Sequence, residues 1–327
     1  MKKIGINGFG RIGRAAFKII SYTPELEVIG INDLMTIENA VELLKYDSIY
    51  GRFDKDITIE NDHIVMNGKF IRYTMIKDPA ALKWDAITVD IVIESTGFFT
   101  NKHDAEKHIS AGAKFVVISG STKDTPTVIH GVNTEDGKVS VFSCASCTTN
   151  NIAPIIEIIG RRIGIKKAIL NTTHAYTASQ TLVDALSKKE PRMRRGATLN
   201  SAPALTGDAI AVTKALPQYE GKFDGIAVRV PVPIGSLSDI TFVTERPTST
   251  EEINMILISE AATTRYKKVL DVSSELLISS DMIKNTYAAT VDLEMTCVVD
   301  GDLVKVMAWY DNEWGFTSQM IRQIQEL

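Results

Sequence analysis

The stretch KIGINGFGRIGRAAFKII, residues 3–20, decides the fold of this chain. Its first five residues are typical of a short strand and its last seven of a helix. Between them, Gly8 permits a tight turn, Gly10 lets a pyrophosphate approach the backbone, and Gly13 lets the helix pack closely on the strand. This order predicts a dinucleotide site at the helix N-terminus, where unpaired N–H groups face the phosphates.

A second short strand, VIGIN at residues 28–32, is followed directly by Asp33. This acid lies 20 residues after Gly13, the spacing at which such sites carry an acid that bonds the adenosine ribose. Because a carboxylate repels a 2′-phosphate, we expect NAD to be preferred over NADP. Glycine-rich turns also occur without ligands, but the preceding strand, the following helix and the spaced acid favour a cofactor site.

The first 146 residues alternate between strand-like and helix-like stretches, such as a strand at 90–94 and a helix at 102–110. This alternation predicts an α/β domain with a doubly wound, mostly parallel sheet, the Rossmann arrangement. The turn STGFF at 95–99 follows one of the strands, at the edge where open sheets bind ligands. On its own, this turn is equally well interpreted as an ordinary connection between strand and helix.

Beyond Cys147 the pattern changes to a helix that ends near residue 162, a strand at 166–173, and later strands that suggest antiparallel pairing. This indicates an α+β catalytic domain with a mixed, largely antiparallel sheet. The chain closes with an amphipathic helical pattern that would return to the first domain. We therefore expect an NAD-binding domain made of residues 1–146 and 313–327, and a catalytic domain made of residues 147–312.

Composition is that of a globular protein, with 44% hydrophobic and 23% charged residues among 327. The net charge of -4 argues against nucleic acid as a primary partner and against a polybasic membrane anchor. No apolar run approaches the ~20 residues that span a bilayer. We therefore expect no membrane association and a cytoplasmic location.

Neither the cysteines nor the remaining histidines suggest a metal site. The three cysteines do not make a disulfide framework. The histidines outside the candidate catalytic pair lie in polar or helical contexts without metal-ligand spacing, so we interpret them as surface or structural residues. They are His63, His103, His108 and His130.

Cys147 and His174 are the candidate catalytic pair. A cysteine attacks as its thiolate, and the free thiol has a pKa near ~8.5, so its surroundings must lower that pKa. The sequence TTNNIAPII after Cys147 predicts a helix start, whose positive dipole end would favour the thiolate. A return of the chain would bring the His174 ring beside the sulfur, as an imidazolium and later as a general base. Either residue alone is better explained as a buried core residue.

Four motifs together resemble those of the glyceraldehyde-3-phosphate dehydrogenase family. They are NGFGRIGR at 7–14, STGFF at 95–99, ASCTTN at 145–150 and WYDNEWG at 309–315. The resemblance extends over essentially the whole chain. It implies the oxidation of D-glyceraldehyde 3-phosphate by NAD with inorganic phosphate, giving 1,3-bisphosphoglycerate and NADH. In that reaction a cysteine attacks the aldehyde, a histidine removes the hydroxyl proton during hydride transfer, and phosphate attacks the resulting thioester.

The resemblance also implies which residues hold the ligands, with Asn312 bonding the nicotinamide carboxamide. A structural salt bridge is the alternative interpretation of Arg229. The implied cofactor contacts are Gly8, Gly10, Arg11, Ile12, Asp33, Lys77, Thr96, Gly97, Phe99, Ser119 and Asn312. The implied contacts of the substrate phosphate and the attacking phosphate are Ser146, Thr148, Thr177, Thr206, Gly207 and Arg229.

Cys144 departs from the family pattern because it creates a C-x-x-C spacing with Cys147. That spacing is compatible with a redox disulfide or with zinc. Zinc needs about four ligands, and only Cys297 remains without obvious companions, so zinc is disfavoured. A regulatory disulfide stays open, although a strand that ends at Cys144 would point the two sulfurs apart.

The one basic run of the sequence is KKEPRMRR at 188–195. Taken alone it suggests nucleic acid, but it is short and lies in an acidic protein. By resemblance it is the loop that lines the cofactor site of a neighbouring subunit, so we expect a homotetramer. One of Arg192, Arg194 and Arg195 would add to the substrate-phosphate site, and the sequence does not choose among them.

Two other functions compete with the main prediction. Erythrose-4-phosphate dehydrogenase shares the fold, the cysteine and the histidine, but Thr206 and Gly207 favour an attacking-phosphate site and hence the phosphorylating enzyme. A non-catalytic NAD-binding redox sensor would use Cys144 and Cys147 as a switch. It is disfavoured because nucleophile, base, anion-binding arginine and Asn312 are all present.

Overall fold

The computed structural model describes residues 1–133, 139–186 and 190–327. They divide into two compact units: unit 1 is Met1–Val128, 139–145 and Met320–Leu327, and unit 2 is Ile129–Asn133, 146–186 and 190–319. Lys188 and Lys189 of the basic run lie outside the described residues.

Unit 1 alternates strands and helices, as predicted. Its strands are β1 (Lys2–Asn7), β2 (Leu26–Asn32), β3 (Ile57–Glu60), β4 (His63–Met66), β5 (Lys69–Thr74), β6 (Ile91–Glu94), β7 (Phe115–Ile118) and β8 (Val141–Ser143). Its helices are α1 (Arg11–Ile20), α2 (Ile37–Lys45) and α3 (Lys102–Ser110). Helix α1 begins three residues before the predicted start because Gly10 is its N-cap, so the second half of the glycine turn is already helical.

Among the described residues, the eight strands of unit 1 form one sheet in the order β3-β4-β5-β2-β1-β6-β7-β8. Pairing is parallel from β5 through β8 and antiparallel between β3, β4 and β5. The chain leaves β1 for β2 on one side and later returns to β6 on the other. The predicted α/β class with a doubly wound sheet is confirmed, and the strand order reverses at the carboxyl end of β1, where such sheets bind ligands.

A buried polar cluster fixes the carboxyl ends of the central strands. Glu94 is 1% exposed, and its Oε2 accepts hydrogen bonds from Asn7 Nδ2 at 2.6 Å and from His108 Nε2 at 3.0 Å. Its Oε1 accepts from the backbone N–H of Thr96 at 2.8 Å and also from the Thr96 hydroxyl. The Trp84 indole donates to His108 Nδ1 at 3.0 Å, so the Nε2 proton of the ring goes to Glu94. His108 is therefore structural.

Unit 2 carries the remaining elements. Its strands are β9 (Ile165–Ala175), β10 (Ala202–Leu205), β11 (Phe223–Val230), β12 (Ser236–Thr244), β13 (Leu270–Ser273), β14 (Ala289–Val299) and β15 (Leu303–Tyr310). Its helices are α4 (Cys147–Arg162), α5 (Asp208–Ala215) and α6 (Thr250–Ala261), and α7 (Trp314–Glu326) begins in unit 2 and ends in unit 1.

In the described part of unit 2, the strands form one sheet in the order β10-β11-β9-β12-β15-β14-β13. Only β9 with β11 and β13 with β14 pair in parallel, so the predicted mixed, largely antiparallel sheet is confirmed. Isoleucines on α4, among them Ile152 and Ile159, pack with Leu170 and Ile240 of the sheet into one buried core. Within the described residues, no helix combines the length and the apolar character needed to cross a bilayer.

The boundaries of two elements next to the predicted catalytic pair differ from the sequence-based expectation. Strand β9 continues to Ala175 instead of ending at residue 173, so His174 lies inside a strand. Helix α4 begins at Cys147 itself. Both residues therefore lie in regular secondary structure, which restricts their movement.

The two glycines that flank the start of α1 should differ sharply in their tolerance of a methyl group. A Cβ on Gly13 would lie 2.1 Å from the Gly8 carbonyl oxygen, whereas a Cβ on Gly10 meets nothing within 4 Å. Gly13→Ala should therefore lower the free energy of unfolding by at least about 2 kcal/mol, because backbone must move. Gly10→Ala should change it by less than about 1 kcal/mol. Urea unfolding of the ligand-free protein measures both.

Gly10→Ala is also the matched control for function. Its methyl group would fill the open space through which a pyrophosphate approaches the helix start, so dinucleotide affinity should fall although the fold is kept. Equal unfolding free energies for the two variants would contradict the close packing of Gly13.

Candidate active site

Three strand ends meet around the glycine turn of unit 1. Gly8 adopts φ 94°, and a Cβ there would lie 2.5 Å from the Thr96 backbone nitrogen, so the turns after β1 and β6 touch. Asp33, directly after β2, accepts a hydrogen bond from the Phe9 N–H at 2.5 Å. The predicted cofactor residues Gly8, Asp33 and Thr96 thus lie at one edge of the sheet.

This edge fits a dinucleotide. Gly10 and Gly97 each face open space, and Gly97 adopts φ 72°, which a residue with a side chain disfavours. Glu94 holds the Thr96 amide and hydroxyl, and the Ser119 N–H donates to the Glu94 carbonyl at 2.9 Å. No side chain caps the start of α1, so the backbone N–H groups there can donate hydrogen bonds to phosphate oxygens.

The other predicted cofactor positions in unit 1 vary in their surroundings. The Arg11 guanidinium forms an ion pair with Asp47 at 2.8 Å and lies 5.2 Å from the centre of the Tyr50 ring. Ile12 and Phe99 are partly buried, and Lys77 is exposed.

In unit 2, Cys147 occupies the first position of α4, behind the N-cap Ser146. The Ser146 hydroxyl accepts from the Thr149 N–H at 3.0 Å. Ala145 precedes this cap with φ 58°, a left-handed conformation that costs about 1–2 kcal/mol for a residue with a side chain. The cap and this turn together start the helix at the candidate nucleophile.

The structure brings Cys147 and His174 together. The distance from Cys147 Sγ to His174 Nε2 is 3.4 Å, which is within hydrogen-bonding reach for sulfur. His174 is 4% exposed and packs edge-on against Tyr310 at 6.0 Å between ring centres. The Tyr310 hydroxyl in turn bonds the hydroxyls of Thr148 and Thr172, each at 2.9 Å. The hydrogen-bonded tyrosine thus holds the histidine ring in place.

The expectation that these surroundings lower the pKa of the thiol is wrong for the ligand-free protein. Burial raises the pKa of Cys147 to about 12, helped by the charge of Asp208 and opposed by Arg229 and by hydrogen bonds from Thr148. Burial, and then the Arg229 charge, lower the pKa of His174 to about 4. Desolvation disfavours both charged forms, so the ligand-free pair is a neutral thiol beside a neutral imidazole.

Arg229 and the Ala175 carbonyl both approach Nδ1 of that imidazole. Arg229 Nη1 lies 2.6 Å from His174 Nδ1 and 3.1 Å from the Ala175 carbonyl oxygen, which itself lies 2.7 Å from Nδ1. The guanidinium favours the tautomer in which Nδ1 accepts, whereas the carbonyl favours the one in which Nδ1 carries the proton. Within the described residues no carboxylate lies in ion-pair distance of Arg229, and the structural salt bridge considered for this arginine is therefore absent there. A partly buried cation without a carboxylate is suited to bind an anion.

The predicted phosphate contacts lie in unit 2, and their hydroxyl groups are already bonded to protein groups. Ser146 Oγ and Thr206 Oγ1 each donate to the Asp208 carboxylate at 2.5 Å. The Thr148 hydroxyl is turned toward Tyr310 and the residue is 1% exposed. Thr177 Oγ1 bonds Ser179 Oγ at 2.9 Å. Gly207 caps α5 and faces open space.

Asn312 is held in a defined orientation. Its Oδ1 accepts from Ser236 Oγ at 3.1 Å, and Ser236 Oγ accepts from the Ala175 N–H at 3.1 Å. Within the described residues the Asn312 amide nitrogen bonds no protein group, so its N–H groups remain to donate to a ligand carbonyl.

The remaining residues singled out from the sequence are those of the basic loop and the other cysteines. Arg195 pairs with exposed Asp184 at 3.1 Å, and Arg192 donates to the Pro203 carbonyl at 3.2 Å. Cys144 is 3% exposed, and burial raises its thiol pKa to about 12, so it is a poor nucleophile. The described residues contain no cluster of three or more side chains that could hold a metal ion.

Sequence reasoning missed three residues that organise the site: Glu94 beneath the cofactor turns, Ser236 beside Asn312, and Asp208 beside Ser146. Glu94 and Ser236 lie within ordinary strand patterns that carry no signal. Asp208 directly follows Thr206 and Gly207. An acid next to two predicted phosphate contacts is unexpected, and this was the signal in the sequence that could have identified Asp208.

Comparisons with known proteins agree with this geometry. The family model described as "Glyceraldehyde 3-phosphate dehydrogenase, NAD binding domain" matches residues 2–102, and that described as "Glyceraldehyde 3-phosphate dehydrogenase, C-terminal domain" matches residues 146–312. The second match begins at Ser146 and ends at Asn312, so it includes the whole cluster around Cys147.

Curated relatives match over nearly their full length. A glyceraldehyde-3-phosphate dehydrogenase of Bacillus subtilis is 42% identical over 323 residues, covering 98% of this chain and 96% of the relative. One from Geobacillus stearothermophilus shows the same identity and coverage. One from Escherichia fergusonii is 40% identical over 327 residues, covering 99% of this chain and 98% of the relative.

The neutral state of the pair predicts the pH dependence of alkylation. Because burial raises the thiol pKa, little thiolate is present at pH 7, and reaction of Cys147 with iodoacetamide in ligand-free protein should keep rising from pH 7 to pH 9. A Cys297→Ser background removes the exposed competing thiol, and Cys147→Ala in that background gives the residual rate. A rate that is already constant between pH 5.5 and pH 7 would show a preformed thiolate instead.

Proposed function

The chain belongs to the glyceraldehyde-3-phosphate dehydrogenase family, and we propose that the cluster around Cys147 carries the family reaction. The protein is an NAD-dependent oxidoreductase that converts D-glyceraldehyde 3-phosphate and inorganic phosphate to 1,3-bisphosphoglycerate. The observation that most supports the assignment of residues is the 3.4 Å contact of Cys147 Sγ with His174 Nε2, beside an arginine without a described carboxylate partner.

In the proposed first half-reaction, Cys147 Sγ attacks the aldehyde carbon, the carbonyl double bond opens, and the thiol proton ends on the former aldehyde oxygen, which gives a thiohemiacetal. His174 Nε2 then accepts the hydroxyl proton as general base, which requires Nε2 to be unprotonated. NAD, when bound, accepts the hydride. The product on the protein is a thioester at Cys147, and covalent attachment separates the oxidation from the transfer of the acyl group to phosphate, which gives two easier steps.

Binding of the substrate phosphate prepares His174 for this role. When Arg229 turns its guanidinium to an anion, it no longer donates to His174 Nδ1. That nitrogen can then carry the proton and donate to the Ala175 carbonyl, which lies 2.7 Å away. Nε2 becomes the acceptor that a general base needs. Thr177, partly buried two residues after the end of β9, is proposed as the second contact of the substrate phosphate.

In the second half-reaction, phosphate attacks the thioester carbon and Cys147 leaves as a thiolate. The backbone N–H groups at the start of α4 stabilise the oxyanion and the departing sulfur. We place the attacking phosphate among Ser146, Thr148, Thr206 and Gly207. Asn312, oriented by Ser236, is proposed to donate to the nicotinamide carboxamide.

The assembly of the protein is proposed from its surface as well as from the family. Unit 2 exposes several large apolar side chains, which is typical of an interface. They include Leu182 (69% exposed), Val183 (72%), Leu186 (95%), Leu199 (84%) and Leu205 (90%). We propose a homotetramer located in the cytoplasm, and light scattering tests the subunit count. We also propose that residues 1–146 with 313–327 act as the NAD-binding domain and residues 147–312 as the catalytic domain.

The assignment of the nucleophile predicts a phosphate-dependent turnover that is lost without Cys147. NADH absorbance should rise continuously with NAD, D-glyceraldehyde 3-phosphate and phosphate. Cys147→Ala should abolish it, and His174→Asn should lower kcat by about 10²- to 10⁴-fold, the usual share of general acid–base catalysis. Cys297→Ala, at an exposed thiol outside the site, is the matched control and should retain the activity.

The same assay separates the alternatives. Turnover that does not need phosphate, with erythrose 4-phosphate as the better substrate, would indicate the erythrose-4-phosphate dehydrogenase function. NAD binding without oxidation of either aldehyde would indicate a sensor.

Arg229 should be needed for the phosphorylated substrate in particular. Arg229→Gln should lower kcat/KM for D-glyceraldehyde 3-phosphate about 10- to 100-fold, since charge-assisted hydrogen bonds to an anion are lost. The loss should be much smaller for unphosphorylated D-glyceraldehyde. Arg246→Gln removes an exposed arginine paired with Glu252 and should leave both rates unchanged. An equal loss for the two aldehydes would assign Arg229 to the fold rather than to phosphate binding.

A further inference from the structure

A carboxylate lies in the middle of the proposed attacking-phosphate site. Asp208, the first residue of α5, accepts from Ser146 Oγ on its Oδ1 and from Thr206 Oγ1 on its Oδ2, each at 2.5 Å. Both hydroxyls belong to the set that the proposed function assigns to the attacking phosphate.

The hydrogen bonds of Ser146 leave it no proton for an anion. A serine hydroxyl has one proton and two lone pairs. Ser146 Oγ donates to Asp208 and accepts from the Thr149 N–H at 3.0 Å. It also lies 2.8 Å from Thr149 Oγ1, and the Thr149 hydroxyl in turn donates to the Asp208 carbonyl oxygen at 3.5 Å. The one proton of the Ser146 hydroxyl is therefore used in its bond to Asp208.

The other hydroxyls of the site are in a similar state. Thr206 Oγ1 donates to Asp208 and accepts from the Asp208 N–H at 3.2 Å, so only a lone pair remains. Thr148 Oγ1 is bonded to the buried Tyr310 hydroxyl. An anion that enters beside Asp208 therefore meets lone pairs and a carboxylate, not the row of hydroxyl protons that an unprotonated oxyanion needs.

The charge of Asp208 reaches the reacting centre. It raises the pKa of both Cys147 and His174, whereas Arg229 lowers both. The two residues thus supply opposite charges to the same pair. Arg229 can donate hydrogen bonds to an anion whether or not that anion carries a proton. Asp208 can bind only a group that donates a hydrogen bond to its carboxylate.

We propose that Asp208 makes the acceptor site select an oxyanion that carries a proton, hydrogen phosphate, over an unprotonated oxyanion of similar size, such as sulfate. A carboxylate only accepts hydrogen bonds, so it binds a P–OH group and repels an oxyanion that has none. The inference rests on the proposed function, because it assigns the specificity of the same site. Asp208 is a specificity-determining residue for the second half-reaction.

Steady-state inhibition by sulfate tests the inference. Initial rates are measured at pH 7.5 and constant ionic strength with phosphate varied, and the competitive inhibition constant Ki of sulfate is compared with the KM of phosphate. In the unmodified protein Ki should exceed this KM at least about tenfold. In Asp208→Asn and Asp208→Ala the ratio should fall at least about tenfold, because a close like charge is removed. Glu220→Gln, at an exposed carboxylate, should keep the ratio.

The outcomes are distinguishable. Sulfate that competes as well as phosphate in the unmodified protein overturns the inference, even if both variants fail to fold. So does a ratio that stays within twofold in the variants or rises. A stoichiometric burst of NADH without phosphate in the unmodified protein reports the first half-reaction alone. Absence of that burst would reject the proposed function, whereas a normal burst with an unselective acceptor site would reject only the role of Asp208.

Discussion

The Arg229 guanidinium, which donates to the buried ring of His174, is the interaction on which the rest of the site depends. Burial and then the Arg229 charge lower the pKa of the imidazole, and on the Cys147 thiol Arg229 acts in the direction opposite to burial. No described carboxylate lies within ion-pair distance of it, so an arriving anion can pair with it directly. The substrate phosphate can thus supply the negative charge that pairs with Arg229. The Cys147 thiolate and the unprotonated Nε2 of His174 therefore need not exist before the substrate binds.

The sheet of unit 2 gives this interaction its precision. Strands β9 and β11 are parallel, and their register places Arg229 directly opposite His174. A slip of one residue would turn the two side chains to opposite faces. The antiparallel partner β12 begins at Ser236, which is 0% exposed and joins the Ala175 N–H to the Asn312 side chain. Three neighbouring strands therefore position the base, the anion contact and the proposed cofactor contact within one hydrogen-bonded framework.

The parts of this arrangement that are local in sequence could be predicted. The glycine turn, the spacing to Asp33 and the segment around Cys147 each carry their chemistry within a few residues, and the structure brings Cys147 and His174 together as expected. The sign of the pKa shift at Cys147 was not predictable. The helix start and a histidine both argue for a lower pKa, but how far water is removed from the sulfur is set by tertiary packing. The partners of Ser236 and Asp208 likewise come from distant segments and leave no periodic pattern.

Asp208 shows why a site for an anion can contain an acid. An acid beside Cys147 opposes formation of the thiolate, so it acts against the first half-reaction. In the second half-reaction the phosphate must present an unprotonated oxygen to the thioester carbon. If its P–OH group is held by Asp208, the protonated oxygen is occupied and the anionic oxygens are the ones left to attack. The same carboxylate would then exclude anions that cannot complete the transfer. Asp208 thus makes Cys147 a weaker nucleophile in the ligand-free protein, and in return it selects and orients the phosphate that accepts the acyl group.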